Sequence, residues 1–452
     1  MLTLYRTGNY EKIFSYMELS KSKTLCEGFM ASRAKQVERK AVRKALLAKA
    51  QVKSTMKKEK ISKDELDNMK RSIAVMKTGT MENAPGRTAF LMKNVVGGQV
   101  RLKDLDFIAR GSLVLNYYVA KSGVFTAVVR DGKMLSCTYE KIPRDRLAAL
   151  IRSFNSAAEA GDRERFETKG RKLYQLLLHP VESFLTGSSV LISPRGVLHN
   201  LPFGALQSDG CFIEKQSIGY VYSLSFLHLL KNRHGNANLE PARLHPLLMG
   251  NPVNRKVDAV QLPGAEKEAA AVSNILNEVC TESSPTPYLG TDAGERRFKK
   301  RIHAANLVHL ATHSRFDPAD AENSFIMLAD GAGEDGLLYA REIYGLDMTA
   351  DQGIELLVLS SCESGALDVR PGDDPYGLPR AWFYAGAKRI LSTYWAIDDR
   401  QTVLLMTSFY RHMLEKGLSP IKALQQARIE QIKSGSLAWV PFKIEGMACL
   451  SE

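Results

Sequence analysis

Two stretches of the chain are apolar without alternation and end on reactive side chains. One reads Asn306-Leu307-Val308-His309-Leu310-Ala311-Thr312-His313, the other Ile354-Glu355-Leu356-Leu357-Val358-Leu359-Ser360-Ser361-Cys362. Continuous apolar runs of this length predict inner strands of a parallel sheet covered by helices on both faces. From Leu244 onward such runs alternate with segments of helical spacing. A strand over 247–249 ends at Gly250-Asn251-Pro252, helices are predicted over 264–279 and 293–304, and a helix over 375–385 follows the Cys362 loop. A strand over 389–395 then leads to Asp398-Asp399, and amphipathic helices over 401–416 and 420–433 follow. This rhythm predicts an α/β fold whose crossovers lie on both faces of a parallel sheet.

Upstream the pattern changes. Runs over 112–119, 124–129 and 133–137 are joined by turns at Gly123 and Asp131-Gly132, which predicts a hairpin meander. Helical stretches follow over 144–158 and 162–185, then a strand over 189–193, with no nucleophile and base paired in this region. Residues 79–111 carry Gly79, Pro85, Gly86 and Gly97-Gly98 and read as a linker. Residues 1–78 read as helices. There Gly8-Asn9-Tyr10-Glu11 and Ala31-Ser32-Arg33-Ala34 look like the end of a tetratricopeptide array. One such unit is too few for a stable solenoid, so either the array is truncated or this segment leans on the domain after it. The expected divisions are therefore 1–78, 79–111, 112–243 and 244–452.

A chain of 452 residues has length for roughly two or three domains. Its six cysteines are scattered without a Cys-x-x-Cys pair, which suits a reducing compartment and offers no zinc spacing. The start lacks a basic-then-apolar leader, and no apolar run approaches the roughly 18 residues of a membrane span, so a cytoplasmic protein without membrane contact is expected. The net charge of +13 is concentrated early, with +7 over residues 1–50 and +4 over 51–80. That asymmetry reads either as a docking surface for an acidic partner, a regulatory protein or an RNA–protein complex, or as a solvated helical face.

In parallel sheets the functional crevice lies at the carboxyl ends of the strands, where His313 and Cys362 both fall. A thiolate can attack an amide carbonyl, a histidine can protonate the leaving amine, and backbone N–H groups can hold the oxyanion. Cys362 and His313 are the candidate pair, with the backbone N–H groups of Cys362 and Ser314 as candidate oxyanion donors. His309, inside its strand, reads as a hydrogen-bonded core histidine. A zinc cluster of His303, His309 and His313 is opposed by the alternating faces of a strand and by the lack of a His-Glu-x-x-His helix. Gly290-Thr291-Asp292-Ala293-Gly294 lacks the Gly-Lys-Ser/Thr of a phosphate loop and reads as a helix start capped by Asp292. No metal or cofactor is expected.

Several blocks together resemble the CHAT-domain family, caspase-like proteins often attached to tetratricopeptide repeats and grouped broadly with caspases and separases. They run through residues 170–446: Leu173 to Pro180, Ile192 to Leu206, Leu262-Pro263-Gly264-Ala265-Glu266-Lys267-Glu268-Ala269, His309 to His313, Leu359 to Gly365, Tyr394 to Asp399 and Trp439-Val440-Pro441-Phe442. The resemblance implies a caspase-like sheet over 244–452, preceded at 112–243 by the kind of non-catalytic α/β half found in separases. It implies a cysteine endopeptidase with Cys362 as nucleophile and His313 as partner, acting on a protein and triggered by another molecule. The two residues are 49 positions apart, against the roughly 50 of caspase-like enzymes. The separase-like Trp-x-x-x-Asp pattern in Trp395-Ala396-Ile397-Asp398-Asp399 implies carboxylates at the crevice rim and cleavage after Arg or Lys, with Asp399 as pocket floor. The competing role for Asp398 or Asp399 is a cap on the helix that begins near Gln401. Relatives coupled to RNA-guided bacterial defence complexes imply RNA-linked regulation through the basic N-terminus. Ser314 stands where the clan commonly has glycine, and Gly365 follows the cysteine one place later than in caspases. The competing reading of the whole is a catalytically silent caspase-like scaffold.

Overall fold

The computed structural model describes residues 5, 7–19, 21, 100–187, 189–235, 239–257, 259–280, 284–346, 348, 353–361, 364–365, 368–370, 374–397 and 399–447. Residues 79–99 of the expected linker, and the basic first 80 residues apart from 5, 7–19 and 21, lie outside the described residues.

Eleven strands make one sheet. In chain order they are β1 Leu113–Val119, β2 Gly123–Arg130, β3 Lys133–Lys141, β4 Ser189–Ser193, β5 Ser217–Tyr220, β6 Pro246–Pro252, β7 Tyr288–Gly290, β8 Leu307–Ala311, β9 Leu356–Ser360, β10 Arg389–Thr393 and β11 Phe442–Gly446. Their order across the sheet is β3-β2-β1-β4-β5-β11-β10-β9-β8-β6-β7. The pairings are parallel except for the β1-β2-β3 meander and β10-β11. The sheet thus runs without interruption from the upstream region into the downstream one, joined where β5 meets β11.

The longer helices are α1 Tyr10–Leu19, α2 Arg144–Glu159, α3 Arg163–Leu177, α4 Leu224–His234, α5 Pro263–Val279, α6 Glu295–Arg301, α7 Leu378–Ala385, α8 Asp399–Leu414 and α9 Pro420–Lys433. Every residue of β8, β9, β10 and β11 is buried. Burial on both faces is why β8 and β9 carry apolar side chains in succession instead of alternating.

β11 escapes the periodicity analysis for a physical reason. Phe442-Lys443-Ile444-Glu445-Gly446 alternates apolar and charged residues like a half-exposed strand, yet it lies inside the sheet. Lys443 and Glu445 sit on the same side of the strand, two residues apart, and pair at 3.1 Å while only 1% and 4% exposed. Helix starts also differ from expectation. α6 begins at Glu295 after Gly294, and Asp292 does not cap it but pairs with Arg297 at 2.8 Å. α7 begins at Leu378, because Asp374–Tyr376 instead pairs with Asp368–Arg370 in a ribbon. α8 begins at Asp399 rather than Gln401.

The N-terminal helix leans on the sheet. Ile13 and Met17 of α1 are fully buried against Phe125, Ala127 and Cys137 of β2 and β3, worth about 1.5–3 kcal/mol per side chain. Beyond the apolar contact lies a polar clamp. The buried Lys21 ammonium donates to Asn116 Oδ1 at 2.6 Å and to Ser193 O and Oγ at 2.8 Å, while Asn116 Nδ2 and the Ser225 N–H and hydroxyl donate to Glu18. This ties α1 to β1, β4 and the start of α4.

Candidate active site

β8 and β9 are adjacent and parallel, and their register pairs Ala311 with Ser360. His313 stands two residues beyond the first of these positions and Cys362 two residues beyond the second. The ladder continues one step further, since the Thr312 N–H donates to Ser360 O at 3.2 Å. His313 is half-buried, and its Nε2 lies 2.6 Å from the carbonyl oxygen of Val260. A carbonyl only accepts, so Nε2 carries the proton of the neutral ring and Nδ1 is left as the basic nitrogen. The Val260 carbonyl therefore orients the imidazole. No sequence pattern could reveal it, because a backbone carbonyl is indifferent to residue type. The Val260 side chain is itself 80% exposed beside the crevice.

Cys362 and Asp398 lie outside the described residues, but both sides of the cysteine position are fixed. Ser361 O accepts from Thr393 Oγ1 at 2.7 Å, Ser364 Oγ donates to Leu359 O at 3.0 Å and accepts from the Thr393 N–H at 3.2 Å, and the Gly365 N–H donates to Thr393 O at 2.8 Å. The end of β10 thus holds the turn after β9. Gly365 is required there: a Cβ would fall 2.5 Å from Lys443 Cε and 2.7 Å from Ser392 Oγ. Burial pulls the Lys443 ammonium below the usual lysine range while Glu445 opposes that shift, so the turn rests on a buried ion pair.

A cavity of about 40 Å³ opens beside these strand ends, lined by residues that include Thr312, Ser361 and Asp399. Its wall explains the Leu-Pro-Gly-Ala block. Asp399, first residue of α8, accepts a hydrogen bond through Oδ2 from the backbone N–H of Gly264 in the first turn of α5. A helix N-terminus favours an anion there. Only glycine permits this approach, since a Cβ at 264 would come within 2.6 Å of Asp399 Oδ1 and closer to its Cγ. Asp399 is thus placed on the cavity wall as well as at the start of its own helix.

Ser314 begins the strand Ser314–Arg315, pairing with Ile326. His309 is buried as expected, with Nδ1 3.2 Å from Tyr410 Oη. Cys137, Cys211 and Cys280 are free thiols. Burial pushes Cys137 and Cys211 up to about 12, so neither forms a thiolate readily.

The CHAT domain family model matches residues 167–445, more than half of the chain. The chain belongs to the CHAT-domain family. Tetratricopeptide repeat protein 28 of Homo sapiens is 25% identical to this CHAT protein over 311 residues, 57% of this chain and 12% of that protein. The Mus musculus protein of that name is 24% identical over 323 residues. The chain therefore spans about 12% of the length of the curated relatives it matches. Separase of Saccharomyces cerevisiae, solved in complex with securin, superposes with a TM-score of 0.55 at 10% identity, covering 80% of this chain and 31% of separase. The Arg-specific cysteine proteinase gingipain R aligns over 64% of this chain and 68% of its own at 12% identity, with a TM-score of 0.41. This CHAT protein has a caspase-like, peptidase-type fold: a large, mostly parallel sheet flanked by helices. Among the described residues no helix is long and apolar enough to cross a membrane.

Proposed function

We propose that this CHAT protein is a cysteine endopeptidase that cleaves a protein substrate with Cys362 as nucleophile and His313 as its acid and base. The observation that supports this reading most is the register of β8 and β9, which brings the two strand ends side by side with His313 already oriented by Val260 O. In the proposed reaction His313 Nδ1 takes the proton of the Cys362 thiol, the resulting thiolate attacks the scissile carbonyl while the backbone N–H groups of Cys362 and Ser314 hold the oxyanion, and Nδ1 then passes that proton to the leaving amine as the C–N bond breaks. Water then hydrolyses the thioester with His313 as base.

Asp399, and with it Asp398, is proposed to select Arg or Lys before the scissile bond. The Asp399 carboxylate lines the cavity beside Thr312 and Ser361, the immediate neighbours of the two reacting positions. A partner is proposed as trigger, a regulatory protein or an RNA–protein complex recruited by the basic first 80 residues.

Cys362→Ala and His313→Ala should each lower peptide turnover by about a thousandfold or more at unchanged thermal stability, and the double variant should be little worse, because the pair acts as a unit. Substantial turnover in either variant removes the dyad. A positional peptide library should show cleavage after Arg or Lys that is lost in Asp399→Asn; an apolar preference indifferent to that change removes the pocket. If partner binding survives in the unmodified protein with no cleavage at all, the silent scaffold stands instead.

A further inference from the structure

A larger depression lies apart from the crevice, in the upstream half. It is an open groove of about 1070 Å³ whose lining residues all fall within 141–209. Helices α2 and α3, joined by Ala160-Gly161-Asp162, form its sides. Stacked Phe154 and Phe166, ring centroids 4.8 Å apart, hold the two helices together near that turn, and the groove follows them toward the end of β3.

Each helix turns one stripe to the core and a second stripe to the groove. On α2, Leu147, Ile151 and Phe154 are buried, while Arg146, Ala149, Leu150 and Ser153 recur at i, i+3, i+4 and i+7 along the groove. On α3, Phe166, Leu173 and Leu177 are buried, while Lys169, Lys172 and Leu176 recur at i, i+3 and i+7. Leu150 and Leu176 are half-buried, and with the buried Ile142 they make an apolar floor. The rim is cationic. Lys141, Arg146, Lys169, Arg171 and Lys172 stand against a single lining carboxylate, Asp209, which already pairs with Lys215. Arg171 reaches Glu167 at 3.5 Å, and among the described residues the other rim cations have no acidic partner. Cations gathered without counter-charges repel one another, and a docked anionic partner relieves that repulsion.

Size and chemistry narrow the occupant. Small-molecule pockets run to about 1,000 Å³, so a groove at that bound and open along two helices suits a stretch of polypeptide. The stripe from Arg146 to Ser153 covers about 10 Å, or about two turns of a docked helix. Single-stranded nucleic acid is held by aromatic side chains that stack on its bases. Among the described residues lining this groove none is aromatic. The basic stretch over residues 1–80 carries the groove's own sign of charge and does not complement it.

We infer that this groove is a docking surface for an acidic amphipathic helix of a partner protein, whose apolar side chains settle on Leu150 and Leu176 while its carboxylates face the cationic rim. The inference rests on the groove and not on Cys362, so it holds whether or not the protein cuts its partner.

Fluorescence anisotropy of the full chain carrying Cys362→Ala, which keeps the probe uncut, tests it. The probe is a synthetic helical peptide with leucine at i, i+3, i+4 and i+7 and glutamate between. Saturable binding is expected, and a scrambled peptide of the same composition should bind far more weakly. Arg146→Glu combined with Lys172→Glu, exposed positions on the two sides of the groove, should weaken binding at least about tenfold. A peptide with lysine in place of glutamate should then bind that variant better than the unmodified groove, a reversal that a merely structural role would not give. Leu150→Asn should weaken the binding that persists in high salt, where the rim charges are screened. Absence of saturable binding overturns the inference. So does equal binding of the scrambled peptide, or an affinity indifferent to the groove variants, as attraction to the basic first 80 residues would give. Tighter binding of a single-stranded oligouridylate, lost in the same charge-reversed variant, overturns it in favour of a nucleic-acid site.

Discussion

Replacing Gly264 by Ala reverses the usual effect of that change. In the interior of a helix Gly→Ala ordinarily stabilises by about 1 kcal/mol. Position 264 lies in the first turn of α5 with no positive φ to resist the substitution, so local propensity predicts a gain. The structure predicts a loss. The added methyl would lie 2.6 Å from Asp399 Oδ1 and closer to Cγ, so the carboxylate must leave and the first residue of α8 must move with it. Departure forfeits a hydrogen bond to a charged acceptor, about 1.5–3 kcal/mol, and the forced shift between α5 and α8 adds about 1–3 kcal/mol of overpacking. Against the propensity gain, the net is a destabilisation of about 2–4 kcal/mol. Urea denaturation followed by circular dichroism measures it, and a cycle with Asp399→Ala isolates its cause. With Asp399→Ala already in place the clash is gone and Gly264→Ala should become neutral or stabilising, giving a coupling of about 3 kcal/mol or more. A neutral or stabilising Gly264→Ala in the otherwise unmodified protein would refute the placement of Asp399 over the start of α5.

Lys21→Met should destabilise by about 3–5 kcal/mol despite lying far from the crevice, because it strips a buried donor from Asn116 and Ser193 and leaves Glu18 as an uncompensated charge; thermal and urea unfolding check this, and a change below about 1 kcal/mol contradicts the clamp. Gly365→Ala should abolish turnover while costing about 1–3 kcal/mol in stability, since the methyl strikes Lys443 Cε and the end of β10 that hold the cysteine turn; retained activity would show that the turn tolerates displacement. Binding of a single-stranded RNA, followed by fluorescence anisotropy, should weaken steeply and linearly in log salt if the basic first 80 residues contact phosphates; no binding at low salt would leave them a solvated face.

Much of this fold is legible in the chain because its information is local. Continuous apolar runs ending on His313 and Cys362, the Gly123 and Asp131-Gly132 turns of the meander, and the spacing of α5, α8 and α9 each declare themselves within a few residues. What remained hidden depends on groups that meet only after folding. Lys443 and Glu445 make β11 look half-exposed until each neutralises the other inside the sheet. Val260 orients His313 through a backbone oxygen, which no side-chain pattern encodes. Asp399 reads as a local helix cap, yet its partner is Gly264, 135 residues earlier. Glu268 stands in Glu266-Lys267-Glu268 beside two exposed charges, yet it is buried, 3.1 Å from His309 Nε2. The chain by itself determined where strands end and which reactive side chains stand there, because period and turn chemistry are short-range. Tertiary structure alone decided which buried charges pair and which carbonyl holds the histidine, because burial and long-range pairing are properties of the assembled sheet and helices.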